Sequence, residues 1–246
     1  MNRFTTHPSL SEWLASRSAA FEAVVLDVDG VLTIGGLAVE GSPGLIRLIR
    51  QSGRMIMLLT NDAQHSIAEK GTKLRSIGID VSDEEIVSCG DGLSELARQR
   101  RLEGERLFLM GSLGNPCYAE LAGFEVTNDP EALPRCRGVI IGEGRYDWER
   151  TVNSSLNYFL SNPDGLLIVP NPDDYFPVGR NRILVGPGAI ARFMQRILSS
   201  LSLSLEPLFL GKPHPPIFRA VHRRLEQKRG KPLDRSHVLM IGDLLE

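Results

Sequence analysis

In the segment A-V-V-L-D-V-D-G-V-L, residues 23–32, an apolar run ends in two carboxylates. Four consecutive apolar residues without polar alternation predict a strand that is covered on both faces. Asp27 and Asp29 follow at its carboxyl end, two residues apart and therefore on one face, and Gly30 lets the chain turn. Two carboxylates this close repel each other unless a cation joins them, and Mg²⁺ is a hard cation that takes oxygen ligands. The alternative interpretation is a polar turn after a buried strand.

Five more apolar runs share this continuous pattern and predict further buried strands. They are M-I-M-L-L (residues 55–59), V-I-I (139–141), L-L-I-V (166–169), L-F-L (208–210) and V-L-M-I (238–241). Segments of helical period separate the runs. The clearest helix face is formed by Ile190, Phe193, Met194, Ile197 and Leu198. Strands that alternate with helices predict an α/β fold with a Rossmann-like, doubly wound and mostly parallel sheet, whose ligands bind beyond the carboxyl ends of the strands.

Polar residues directly follow three of the other predicted strands. Thr60 and Asn61 follow residues 55–59 and offer a hydroxyl and an amide that suit a phosphoryl oxygen. Lys212, in G-K-P-H-P-P, supplies a compact positive charge for the oxygens of a transferring phosphoryl group. Asp243 follows the last run as a third carboxylate. Each is unremarkable alone, as a helix cap, a surface lysine or a turn residue, but their order after buried strands indicates a shared phosphoryl-transfer site.

Composition excludes several classes of protein. The 28 Lys and Arg residues against 30 Asp and Glu give a net charge of -2, and the one basic cluster, residues 223–231, predicts a solvated helix end, so no nucleic-acid surface is expected. Three cysteines without C-x-x-C spacing indicate neither a disulfide framework nor a zinc site and favour a reducing cytoplasm. No apolar run approaches the roughly 20 residues that span a bilayer, so no membrane is expected.

A single residue excludes each of two nucleotide-binding motifs. Pro213 follows the lysine where a P-loop requires Ser or Thr. Asp147 stands where a dinucleotide fingerprint beginning at Gly142 requires its third glycine. Neither a P-loop nucleotide hydrolase nor a nicotinamide enzyme is therefore expected.

The order of the strand-end motifs resembles the haloacid dehalogenase (HAD) superfamily, whose four signatures are similar to D-V-D-G-V, L-L-T-N, G-K-P and I-G-D in this chain. About 150 residues separate Asn61 from Lys212, so the large insertion falls between the second and third signatures. An insertion at this position implies an α/β cap domain of the C2 type.

The inserted segment has its own resemblance. Three stretches look like the class IIA cap of NagD-like and p-nitrophenyl phosphatase-like enzymes: G-E-G-R-Y-D-W-E-R (142–150), N-P-D-D-Y-F-P (171–177) and V-G-P-G-A-I (185–190). The resemblance predicts a HAD core from residues 1–86 and 186–246 and a cap from residues 87–185. Glycines near 90 and 186 are candidate hinges between them.

The resemblance implies a role for each motif residue. Asp27 would be the nucleophile that forms an aspartyl-phosphate, and Asp29 would act as general acid and then as general base. Thr60 and Lys212 would complete an electrostatic cradle. Mg²⁺ would be held by Asp27, by the backbone carbonyl of Asp29 and by Asp243. The implied activity is Mg²⁺-dependent hydrolysis of a small phosphorylated metabolite, a phosphate monoester.

The predicted substrate-binding residues are Gly30, Asn61, Asn171, Asp173 and His214. For the last three, a turn residue or a hydrogen bond within the cap is an equal interpretation. Because the cap selects the substrate, sugar phosphates, phosphoglycolate, nucleotides and pyridoxal phosphate all stay open. The cap is also a candidate surface for homo-oligomer formation.

Two features depart from the family pattern. Gly144 stands where such proteins usually carry an Asp after the strand. The chain ends in G-D-L-L-E, inside the fourth signature, so the resemblance predicts a C-terminal truncation of the core. The competing hypothesis from another class is a non-catalytic or impaired HAD-like binding or scaffold protein.

Overall fold

A computed structural model describes residues 10–16, 20–179 and 181–243; the last three residues, to which the predicted truncation refers, lie outside it. The strands are β1 (Ala23–Asp27), β2 (Thr33–Ile34), β3 (Leu37–Ala38), β4 (Met55–Thr60), β5 (Ile86–Ser88), β6 (Arg106–Met110), β7 (Glu125–Thr127), β8 (Gly138–Ile141), β9 (Leu166–Val169), β10 (Tyr175–Gly179), β11 (Arg182–Val185), β12 (Leu208–Phe209) and β13 (Val238–Ile241). The helices are α1 (Leu10–Ser16), α2 (Ser42–Gln51), α3 (Ile67–Ser76), α4 (Gly92–Arg100), α5 (Tyr118–Leu121), α6 (Ser154–Ser161), α7 (Pro187–Ser200) and α8 (Pro215–Arg229). A π-helix, Trp148–Asn153, runs directly into α6.

The first sheet is parallel and has the strand order β13-β1-β4-β5. β1 lies between β4 and β13, and Ala23 is opposite both Met55 and Val238. Because these three strands run in register, their carboxyl ends lie side by side at one edge of the sheet. The polar residues that end or follow β1, β4 and β13 therefore lie at that edge.

Burial on both faces explains why β1 lacks polar alternation. All five of its residues are buried. Val24 and Leu26 lie in one apolar cluster with the inner face of α2, and Val25 lies in another with the inner face of α8. Helices therefore cover the two faces of the sheet, and the predicted doubly wound α/β fold is confirmed.

The second sheet is also parallel, with the order β12-β9-β8-β6-β7. One face packs on α6 and α7, where Phe108 and Met194 are fully buried. The other face contributes Ile140 to the cluster that holds Val25 of the first sheet, so the two sheets share one packed region. The predicted helix through residues 190–198 is α7.

The predicted core segment, residues 186–246, is divided between the two sheets. Its first helix, α7, packs on the second sheet, and its first strand, β12, pairs with β9, with Leu208 opposite Ile168. Its last strand, β13, joins the first sheet. The assignment of residues 1–86 and 186–246 to the HAD core and of residues 87–185 to the cap stays a prediction.

Two basic residues of α8 are partly exposed, as the sequence predicts, and they also pair with buried carboxylates. Arg223 Nη2 lies 2.8 Å from Glu95 Oε2, and Lys228 Nζ lies 3.0 Å from Glu85 Oε1. The two carboxylate side chains are only 5% and 3% exposed. Buried carboxylates require counter-charges, so these basic residues hold α8 against the body of the protein.

Two hairpins were not predicted, β2-β3 and β10-β11. The second one leaves Tyr175, Ile183 and Val185 exposed to about the same degree, at 60%, 62% and 61%. Exposed apolar side chains in a short hairpin give no continuous buried pattern that the sequence could reveal. In the described part of the chain, every helix is too short or too polar to cross a membrane.

Candidate active site

Asp27 and Lys212 meet where β1 ends. Lys212 Nζ forms an ion pair with Asp27 Oδ1, and the Val28 N–H donates to the same oxygen over 2.8 Å. Burial raises the pKa of the Asp27 carboxyl; Lys212 and the Val28 N–H oppose the rise, and the negative charge of Asp243 adds to it. Ionised Asp27 is therefore a largely desolvated anion beside one cation, an environment that suits a carboxylate nucleophile.

Asp29 lies two residues further on and is exposed. Thr33 Oγ1 donates to Asp29 Oδ1 over 3.2 Å, and Thr60 Oγ1 approaches Asp29 Oδ2 at 3.5 Å. Thr60 is itself 2% exposed and accepts the Asp62 N–H over 3.1 Å. Two hydroxyls therefore orient a carboxylate that stays open to solvent, as a group that exchanges protons with substrate and water requires.

Asp243 approaches the turn after β1. Gly30 has a φ of +86°, and a Cβ built there would lie 2.1 Å from Asp243 Oδ2, so only glycine leaves room for this carboxylate. Asp27, Asp243 and the backbone carbonyl of Asp29 supply oxygen donors of the kind that Mg²⁺ prefers. Across residues 10–16, 20–179 and 181–243, no three His, Cys, Asp or Glu side chains are grouped to hold a metal ion. A metal site here therefore depends on two carboxylates together with carbonyl and water donors.

Asn61 lies between the second sheet and the loop that carries Lys212, residues 210–214, which we call the lysine loop. Its Nδ2 donates to Asp173 Oδ1 over 2.8 Å and to the backbone oxygen of Lys212 over 3.1 Å. Its Oδ1 accepts the Lys212 N–H over 2.8 Å. Asn61 and Asp173 are thus brought together with the lysine, and the carboxamide of Asn61 bonds to protein on both of its sides.

Asn171 is brought to the same region through a residue that the sequence analysis did not select. Asn171 Nδ2 donates to Glu143 Oε1 over 2.9 Å, and the Ala63 N–H donates to the same oxygen over 3.3 Å. Glu143 is 4% exposed. Burial raises its pKa, and the hydrogen bonds from Asn171 and Ala63 oppose that rise. The available signal was a lone acidic residue between Gly142 and Gly144 after β8, in a stretch that the sequence analysis assigned to the cap without selecting Glu143.

His214 is placed differently from the other predicted substrate contacts. Its ring stacks on Phe209, with the ring centroids 5.0 Å apart and 21° between the planes. The Arg192 guanidinium lies 4.9 Å from the centroid of the same Phe209 ring. His214 therefore has a packing role at the base of the lysine loop.

Glu143→Gln is expected to raise the thermal unfolding midpoint, Tm, at about pH 8 and to leave it nearly unchanged at about pH 4. Because the pKa of Glu143 is raised in the fold, its stabilising contribution is complete below the unfolded value near 4.5 and is lost as pH rises through the folded pKa. Gln keeps the accepting oxygen without the charge. Each 1 kcal/mol corresponds to about 2–4 °C in a protein of this size, which calorimetry resolves.

Glu149→Gln is the matched control, because Glu149 is exposed and accepts a hydrogen bond from Asn153. It should not raise Tm at either pH. A Glu143→Gln effect of equal size at both pH values would show that ionisation of Glu143 does not destabilise the fold.

Known proteins resemble this chain in sequence and in fold. Residues 24–125 match the family described as haloacid dehalogenase-like hydrolase. The structure of NagD from E. coli K-12 superposes with a TM-score of 0.74 and 25% identity, over 92% of this chain and 80% of NagD. This chain therefore resembles HAD-like hydrolases in sequence over residues 24–125 and resembles NagD in fold. The predicted HAD resemblance is confirmed, and NagD agrees with the predicted class IIA.

Two curated relatives match over most of the length of this chain. Chronophin from Rattus norvegicus is 26% identical over 232 residues, which cover 92% of this chain and 71% of chronophin. The acid sugar phosphatase of Staphylococcus aureus strain USA300 is 26% identical over 227 residues, which cover 92% of this chain and 80% of that enzyme. The similarity to these relatives therefore extends across both sheets.

Proposed function

We propose that this protein is a Mg²⁺-dependent phosphatase that hydrolyses small phosphate monoesters. The observation that carries the proposal is the buried Asp27 carboxylate, paired with Lys212 and flanked by Asp29 and Asp243. A nucleophile, an oriented acid and a cation at one sheet edge are the groups that phosphoryl transfer requires. The name of the Staphylococcus aureus relative, acid sugar phosphatase, supports the reaction class and makes sugar phosphates the first substrates to test.

The reaction has two displacements. In the first, an Asp27 oxygen attacks phosphorus, the bond from phosphorus to the ester oxygen breaks, and Asp29 gives its proton to the departing alcohol. In the second, Asp29 takes a proton from water, the water oxygen attacks phosphorus, and the aspartyl-phosphate releases inorganic phosphate and free Asp27. Lys212 holds its positive charge beside the phosphoryl oxygens through both steps, and the Thr60 hydroxyl lies beside Asp29.

Asp27, Asp243 and the backbone carbonyl of Asp29 would hold Mg²⁺. When bound, Mg²⁺ supplies positive charge that reduces repulsion between the anionic nucleophile and the anionic phosphate. Burial and the negative charge of Asp243 both raise the pKa of Asp27, and a bound cation would reduce this repulsion. The residues present therefore fit a divalent cation with oxygen ligands.

Hydrolysis of p-nitrophenyl phosphate should require Mg²⁺. We expect turnover with Mg²⁺ and a return to background when EDTA removes it, because the single charge of Lys212 then opposes two carboxylates, Asp27 and Asp243, and the anionic phosphate. The measurement is the rate of nitrophenolate release during a Mg²⁺ titration. Absence of metal-dependent turnover with every phosphomonoester tested would favour a non-catalytic binding protein instead.

A variant at Gly30 links this Mg²⁺ requirement to the proposed ligands. In Gly30→Ala the new Cβ would meet Asp243 Oδ2 at 2.1 Å, so the carboxylate must move. We expect the Mg²⁺ concentration for half-maximal activity to rise by at least ~10-fold. Gly104→Ala is the matched control, since Gly104 also has a positive φ, +82°, with nothing within 4 Å of its Cβ position.

Three further assignments belong to this proposal. Residues 1–86 and 186–246 form the HAD core, and residues 87–185 form the cap that covers the leaving group. Contact between cap domains is the proposed route to a homo-oligomer. The proposed location is the cytoplasm, where the free thiols of Cys89, Cys117 and Cys136 would stay reduced.

A further inference from the structure

The carboxamide of Asn61 holds both backbone groups of Lys212. Oδ1 accepts the Lys212 N–H over 2.8 Å, and Nδ2 donates to the Lys212 C=O over 3.1 Å. The two residues are 151 positions apart in sequence. The side-chain amide hydrogen-bonds to both the N–H and the C=O of one residue, as the backbone of a neighbouring β-strand does. These two bonds fix the position of the Lys212 backbone.

Asp173 selects the orientation of this carboxamide. Nδ2 also donates to Asp173 Oδ1 over 2.8 Å, so both of its hydrogens face acceptors. A flipped amide would set its oxygen against two acceptors and its nitrogen against the Lys212 N–H. Asp173, in the loop that follows β9, therefore fixes the orientation of the Asn61 amide that hydrogen-bonds to the Lys212 backbone.

Gly211 lets the lysine loop approach Asn61 this closely. A Cβ at Gly211 would lie 2.6 Å from Asn61 Oδ1 and 2.6 Å from Pro172 Cδ. Gly211 also donates its N–H to Pro170 O over 2.8 Å. The backbone before the lysine is thus packed between Asn61 and the loop that carries Asp173.

We propose that Asn61 is a positioning residue that acts through Lys212, and that Asp173 anchors it from the second sheet. The Lys212 side chain is long and has four rotatable bonds, and its Nζ must stay next to Asp27. A fixed Lys212 backbone reduces the number of conformations that would move Nζ away. Asn61 therefore has no direct substrate contact in this proposal. The kinetic test below rests on the proposed phosphatase function, whereas the labelling test does not.

The kinetic test compares Asn61→Ala, Asn61→Asp, Lys212→Ala and the double variant Asn61→Ala/Lys212→Ala. A displacement of about 1 Å at a reacting group costs on the order of 100-fold, so Asn61→Ala should lower kcat by ~10–100-fold with KM changed by less than ~3-fold. The double variant should be no slower than Lys212→Ala alone, because the lysine through which Asn61 acts is already gone. Multiplying losses, or a raised KM at unchanged kcat, would overturn the proposal.

Asn61→Asp separates hydrogen bonding from side-chain size. It keeps the shape but places a carboxylate oxygen against Asp173 Oδ1 and the Lys212 C=O, so its kcat should fall at least as far as that of Asn61→Ala. Asn157→Ala is the control, because Asn157 is exposed on α6, and it should keep full activity. Full activity in Asn61→Asp would contradict the proposed orientation.

Labelling of Lys212 tests the same idea without catalysis. The protein is treated briefly with acetic anhydride, and the modified peptides are measured by mass spectrometry. The Lys212 side chain is 17% exposed and ion-paired, so it should react slowly, and Asn61→Ala should raise its labelling at least ~3-fold relative to the exposed Lys231. Unchanged labelling would overturn the positioning role. Lack of turnover in the unmodified protein would overturn only the phosphatase function.

Discussion

Asp27→Asn is expected to lower kcat/KM for p-nitrophenyl phosphate by at least ~10⁴-fold at saturating Mg²⁺. The carboxamide cannot form the acyl-phosphate bond, and it no longer pairs with Lys212. It still accepts the Val28 N–H through its oxygen, so the end of β1 keeps its local hydrogen bond. The measurement is steady-state release of nitrophenolate, with the variant purified free of the parent protein.

Folding is the control for this variant. Burial raises the pKa of Asp27, so the neutral Asn avoids a desolvation cost and Tm should not fall by more than ~3 °C. Asp164→Asn makes the same chemical change at an exposed site and should keep parental activity. Substantial activity in a well-folded Asp27→Asn protein would assign the nucleophile elsewhere.

The sequence predicted the motif residues because they follow a local rule. An apolar run that ends in a polar residue marks a strand end, and parallel strands bring their ends to one edge. Asp27, Thr60 and Asp243 follow or end β1, β4 and β13, and these strands are neighbours in the first sheet. Periodicity alone was sufficient to predict this part of the fold.

The lysine loop shows where the rule stops. Lys212 follows β12, which pairs with β9 of the second sheet and not with β1. It reaches Asp27 because the two sheets pack together, and the distance between sheets is not encoded in any single strand. The Glu143 contact with Ala63 depends on the same packing. The sequence therefore shows that a lysine and a glutamate follow these strands, but it does not show that they contact Asp27 and Ala63.

The same distinction explains three of the missed strands. β5 and β7 have three residues each, and β10 contains Pro177 and faces solvent. β6 was missed too, although its residues 107–110 form a continuous apolar run of the predicted kind. Short or exposed strands lack the continuous apolar run that marks a strand buried on both faces. Pairing with a longer neighbour, which is a tertiary effect, stabilises β5 against β4.

Asp29→Asn is expected to act differently on different leaving groups. With an alkyl phosphate such as glycerol 3-phosphate, kcat should fall by ~10²–10⁴-fold, because an alkoxide cannot leave without a proton. With p-nitrophenyl phosphate the leaving nitrophenolate is stable as an anion, so the first displacement should stay fast. The Asn side chain keeps an oxygen for Thr33, so the local structure is retained.

The second displacement still needs Asp29, since water must lose a proton to attack the aspartyl-phosphate. Asp29→Asn should therefore release about one nitrophenolate per chain in a rapid burst and then slow down, and the phosphorylated protein should be visible by intact mass. Asp29→Asn/Asp27→Asn should show neither burst nor phosphorylation. Equal loss with both substrates and no burst would assign the proton transfers to another group, and the exposed position of Asp29 would then need a different explanation.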